Sequence, residues 1–177
     1  MNYTHKLFNV AMFIALGVTM PIAFHFFGGV GQIFLPMHIP VLMAGLLLGF
    51  KGGLATGLLT PVISSFTTGM PPLMPMLPIM VLELGVYGAI TGYLYRQRKL
   101  PLVWSLIGSM LAGRIASALL VAGMAAIFAV QLKPLPFIIA SVTTGLPGIA
   151  IQLFFVPLLV KRLEAASGAF RQVKVHE

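Results

Sequence analysis

Residues 41–50 read VLMAGLLLGF and residues 120–130 read LVAGMAAIFAV, two solid apolar runs in which polar residues never take every second place. A membrane-barrel strand alternates polar and apolar residues over segments of about ten. These runs do not alternate, so they read as helices. Composition says where such helices lie. Hydrophobic residues make up 59% of the 177-residue chain and charged residues 8%. A soluble domain carries roughly 25% charged residues, so this chain lacks the polar surface to cover itself against water. Its mean hydropathy of +1.03 agrees. Lipid gives the backbone no hydrogen-bond partners, which restricts spanning structures to helix bundles and closed barrels. The reading is an all-α integral membrane protein folded as a single bundle.

A hydrocarbon core of about 30 Å takes roughly 20 helical residues. On that measure six spans are expected, near Leu7–Phe26, Met37–Phe50, Gly53–Phe66, Met76–Tyr95, Leu102–Val130 and Phe137–Val160. The second and third are short, carry Pro40 and Pro61, and meet at a turn around Lys51; a single broken hairpin is the alternative. The first has no small-residue cleavage site and is read as a retained helix rather than a signal peptide. Residues 1–163 form the membrane domain and 164–177 a polar cytoplasmic tail. The spacings Gly45/Gly49/Gly53/Gly57 and Gly88/Gly92 suit close helix packing. No internal repeat is visible.

The net charge of +8 is unevenly placed. Lys6, Lys51, Arg96, Arg98, Lys99, Lys161, Arg162, Arg171 and Lys174 fall on one side of the expected bundle, and Lys133 alone on the other. Basic loops stay in the cytoplasm, so both termini are expected inside. The basic residues sit in turns and at the C-terminal end rather than along one face, which argues for anionic lipid and against nucleic acid. With no cysteine, disulfides and thiolate metal sites are excluded.

Polar residues inside the spans are the candidates for function, because an ionisable group at the bilayer centre costs about 2.5–3.5 kcal/mol and faces a partner or a cavity. Glu83 lies about 10 Å deep at 1.5 Å per residue, and Arg114 lies somewhat deeper in the next span. Two readings coexist: a buried ion pair that locks two helices, and a contact to a polar ligand. Tyr87 is one turn from Glu83, and Ser117 one turn from Arg114. Thr144 opens a sixth-helix face that continues through Gly148 to Gln152. His25 and His38 stand near the outer surface, without metal-ligand spacing toward Glu83. Met70, Met74, Met76 and Met80 cluster at an outer loop, as flexible pocket lining or plain core filling. Carboxylate pairs, His-Glu-x-x-His, G-x-S-x-G and Walker motifs are all missing, so neither catalysis nor ATP hydrolysis is expected of this chain, and no cofactor.

Two stretches give the chain a family likeness. AMFIA, Ala11 to Ala15, resembles the small-residue motif by which the substrate-binding S components of energy-coupling factor (ECF) vitamin transporters dock on a shared membrane subunit. LPMHIPVLMAGLLLGFKGGLATGLLTPVISSFTTGMPPLMPMLPIMVLELGVYG (residues 35–88), followed by TTGLPGIAIQ (143–152), is similar to one subgroup, associated most readily with pantothenate. Related architectures serve riboflavin, folate, cobalamin and queuosine precursors. The resemblance implies a prokaryotic cell-membrane protein that binds a vitamin outside and works with one membrane subunit and two ATPases. It implies a pocket lined by the fourth to sixth helices, with Glu83, Tyr87, Arg114, Ser117 and Thr144. Two outer loops close that pocket, GGVGQIFLP with Gln32, leading to His38, and TTGMPPLMP with Met70. Arg114 would pair the vitamin's carboxylate, and Ala11 and Ala15 would form the coupling interface. The rival class is a small solitary ion-coupled carrier, in which Glu83 and a nearby histidine relay protons.

Overall fold

A computed structural model describes residues 3–25, 31–128 and 134–173. Regular structure among them is entirely helical, in the order α1 (Tyr3–His25), a single turn α2 (Gly31–Phe34), α3 (His38–Thr68), α4 (Met76–Gly92) running into a wide π-type turn (Tyr93–Gln97), α5 (Leu102–Phe128) and α6 (Pro134–Val173). Five helices among the described residues are long and apolar enough to cross a membrane. Six spans are expected from the sequence, and the count differs because the second and third fall in one helix. The second and third are joined in α3, and α6 runs on past Leu163 to Val173.

α3 is continuous in name but not in direction. Gly49 stands at φ 81°, ψ −170° inside it, a region open essentially to glycine alone. The Cα of Gly45 is 2.7 Å from where a Cβ on Gly53 would stand. One C–C bond more, about 1.5 Å, bounds the two Cα atoms at about 4.2 Å. Eight residues along a straight helix would separate them by about 12 Å. The chain therefore folds back at Gly49 into a V with arms of 38–48 and 50–68. The turn expected around Lys51 lies two residues earlier, because Gly49 is where the backbone takes the angle no other residue tolerates.

The sharp turn interrupts helical hydrogen bonding, and Arg96 supplies replacement donors. Its Nε donates to the Leu46 carbonyl at 2.6 Å and its Nη2 to the Leu47 carbonyl at 3.0 Å. A cation at the carboxyl end of a helix also meets the favourable end of its dipole. Arg96, Arg98, Lys99 and the exposed Lys51 thereby share one end of the bundle, which we call the basic end.

α4 packs in the V. Cβ atoms at Gly45 and Gly53 would both collide with the Gly88 carbonyl, and one at Gly92 with the Gly49–Phe50 backbone. The expected glycine contact is thus a backbone-to-backbone contact, held by dispersion between main chains that side chains would push apart. Thr56 and Thr60, fully buried, donate their hydroxyls to Gly52 and Thr56 carbonyls of their own helix, so they add no unpaired group. A core of Val41, Leu42, Leu46, Leu84, Leu106, Val156 and Val160 fills the space between the first arm of α3, α4, α5 and α6. α1 rests on the second arm of α3, with Gly17 against Thr60.

Candidate functional site

The first arm of α3 is only 11 residues long, about 16 Å. Its amino end, His38, therefore stops inside the bundle rather than at a surface. α4 and α5 bring Glu83, Tyr87 and Arg114 to the same level. All but Arg114 are buried, and the Arg114 side chain is 13% exposed. Arg114 Nη1 lies 2.9 Å from Glu83 Oε1, and His38 Nε2 lies 3.8 Å from the same oxygen. The His38 and Tyr87 rings meet edge to face, with centroids 5.3 Å apart. Tyr87 packs directly against α5 at Gly113, where a Cβ would overlap its ring.

A roof closes the cluster. Pro36 and Met37 lead into α3, and Leu35 before them takes φ 49°. The Leu35 carbonyl accepts from the His38 N–H at 3.1 Å and from Gln152 Nε2 of α6 at 3.5 Å. α2 sits on α6 where glycine leaves room: a Cβ at Gly148 would lie 2.6 Å from the Ile33 carbonyl oxygen. A Cβ at Gly145 would stand 3.1 Å from Leu35 Cδ1 and 3.8 Å from Arg114 Nη2. The segment between α1 and α3 thus dips into the bundle at Leu35, close to Arg114.

The arrangement leaves polar atoms unused. His38 Nδ1, Arg114 Nε and Arg114 Nη2 are buried without a hydrogen-bond partner, and Glu83 Oε1 has close neighbours without hydrogen-bond alignment. Buried donors normally find acceptors, and an unmet one costs about 1–3 kcal/mol, more when charged. Arg114 holds Glu83 with one nitrogen and presents its Nε–Nη2 edge unsatisfied. That edge is the two-pronged fork that matches a carboxylate or phosphate.

Of the residues named from sequence, His38, Glu83, Tyr87 and Arg114 come together. Ser117 is buried close by, but its hydroxyl is spent on the Arg114 carbonyl at 3.0 Å. Thr144 is exposed on the outer side of α6. Met70 is 49% exposed in the loop after α3, whose Met70 and Pro71 carbonyls are tied down by Ser64 and Ser65 at 2.7 Å each. Neither side chain reaches the cluster. The side chains of Gln32 and His25 lie outside the described residues. Ala11 and Ala15 are exposed on α1, beside Leu7, Phe8, Met12 and Leu16, which are also exposed. No group of three or more metal-ligating side chains occurs among the described residues. Gln152, 1% exposed, enters the sequence reading only as part of a helix face; its signal is an amide within the apolar run of residues 149–160.

A family model for the substrate-specific component of ECF transporters fits residues 5–160. No curated protein and no solved structure matches the chain.

Proposed function

The chain belongs to the substrate-specific components of ECF transporters, and from that premise we propose that it captures pantothenate at the outer face of a prokaryotic cell membrane. Coupled to a membrane subunit and two ATPases, it reorients in the bilayer and releases the vitamin inside. The chain itself carries no catalytic role in this scheme.

One observation carries the choice of site and substrate: an arginine with one nitrogen on Glu83 and its two other nitrogens buried and unmet. Pantothenate is an anion with two hydroxyls and an amide. Its carboxylate fits the Nε–Nη2 edge of Arg114 by two parallel charge-assisted hydrogen bonds. Glu83 fixes the guanidinium and accepts from a ligand hydroxyl, and Tyr87 and His38 complete the polar wall. Entry requires α2 and Leu35 to lift from Gly145 and Gly148. In this reading the two arms of α3 count as two passes, giving six in all with both termini inside. The gathering of Lys51, Arg96, Arg98 and Lys99 at one end of the bundle supports that orientation. Exposed Ala11 and Ala15 on α1 suit a close helix contact with the membrane subunit.

The test is mass spectrometry of small molecules released from the detergent-purified chain after growth with pantothenate. Recovery of pantothenate in proportion to protein, displaced by added unlabelled vitamin, supports the assignment. Recovery of riboflavin, folate, cobalamin or a queuosine precursor instead would move the substrate and keep the class.

A further inference from the structure

We infer that His38 sets the site's preference for an acid, by taking up one proton from solvent when a carboxylate solute binds. The inference rests on the reading of the Arg114 cluster as the site for an acidic vitamin.

The argument is a charge count. The groups that face the cluster are His38 from α3, Glu83 and Tyr87 from α4, and Arg114 and Ser117 from α5. α6 adds Gln152 and the two glycines, and the roof adds apolar side chains and backbone. Arg96, tied to the Leu46 and Leu47 carbonyls, lies at the basic end with Arg98, Lys99 and Lys51. In the empty site Glu83 and Arg114 cancel. A bound carboxylate on the free edge of Arg114 would leave two negative groups on one positive group in a water-poor interior, where an uncompensated charge is heavily penalised. A proton on the site restores neutrality.

Geometry selects His38 as its acceptor. The imidazole Nε2 already faces Glu83 Oε1 at 3.8 Å, and Nδ1 is buried with no partner. Once both ring nitrogens carry hydrogen, one can point at Glu83 and the other at the incoming ligand. Histidine is also the side chain whose ordinary titration falls between pH 5 and 8. Glu83 Oε1 is already held against the Arg114 guanidinium at 2.9 Å, whereas His38 Nδ1 has no partner. With a neutral solute on Arg114 the count never leaves zero, so no proton is drawn. The site therefore distinguishes acids from their neutral analogues through His38, which need not touch the distinguishing group.

Isothermal titration of the purified chain with pantothenate, in buffers of different ionisation enthalpy at about pH 7.5, toward the upper end of the ordinary histidine range, counts the protons. About one proton is expected per pantothenate bound, and none with its neutral alcohol analogue. Affinity for pantothenate is expected to weaken by about tenfold per pH unit above that range, as one-proton linkage requires. His38→Gln is expected to bind more weakly, with no proton uptake and a flat pH profile. If His38→Gln does not fold, the wild-type contrast between the acid and its neutral analogue decides alone. Pantothenate binding without proton uptake, or uptake that persists in His38→Gln, overturns this inference and leaves the site intact. Absence of any pantothenate binding overturns the inference together with the site.

Discussion

Arg114→Met takes from Glu83 the guanidinium that faces it at 2.9 Å. At 2.9 Å and an effective dielectric of about 20, the gross attraction is about 6 kcal/mol. Desolvation of both groups offsets much of it when the pair forms. Removing one partner alone, however, leaves a bare buried carboxylate, and such changes cost about 3–5 kcal/mol. That is a large part of a typical folding stability of about 5–15 kcal/mol. Methionine keeps the side-chain volume near enough that cavity effects stay small. Glu83→Gln in the same background removes the stranded charge, so the double variant is expected to recover most of the lost stability. The assay is thermal unfolding in one fixed detergent for the four members of the cycle, which isolates the pair's coupling from each side chain's other contacts. Pantothenate binding is expected to part from stability. The double variant folds yet still lacks the fork for the carboxylate, so its affinity is expected to fall at least about tenfold, from the loss of one charge-assisted hydrogen bond or more. A double variant that folds and binds normally would falsify the assignment of Arg114 to the ligand.

The glycine contact gives a second expectation: Gly88→Val pushes α4 off the V of α3 and is expected to cost at least about 2 kcal/mol by unfolding. Gly123→Ala, with nothing within 4 Å of the new atom, is expected to be neutral or slightly stabilising. A harmless Gly88→Val would contradict the backbone contact. Orientation is checked with single cysteines in this cysteine-free chain: one at Thr68 is expected to react with an impermeant thiol reagent outside intact cells, and one at Gln97 is not. The reverse pattern would invert the topology. Bulky residues at Ala11 and Ala15 are expected to abolish ATP-driven uptake while solitary pantothenate binding persists, since both side chains are exposed on a helix that the site does not use. Uptake that survives them would move the coupling face elsewhere.

The helical membrane class was legible because it rests on composition, which tertiary packing cannot change. The close approach of α3 to α4 was legible too, because a row of glycines at every fourth position has few other uses. The turn was misplaced by two residues because GFKGG offers three glycines and one lysine within five positions. The lysine marks the side of the membrane, whereas only backbone angles show which glycine bends. Glu83 and Arg114 stood out by their cost in lipid, and counting rise per residue put them at similar depths. His38 is harder to place, being 45 residues from Glu83; it reaches the same level because the first arm of α3 is short, and arm length follows from the bend. On α6 the small residues of TTGLPG give no hydrophobic period. The helix turns Gly145, Gly148 and Gln152 inward and Thr144 outward, a rotation of one residue that composition cannot set.

A structure of the chain with pantothenate bound tests the central claim most directly. The account predicts the vitamin's carboxylate on Arg114 Nε and Nη2, Nη1 still on Glu83, and α2 with Leu35 folded over the ligand. Pantothenate held elsewhere, with the Arg114 edge still unpartnered, would contradict it.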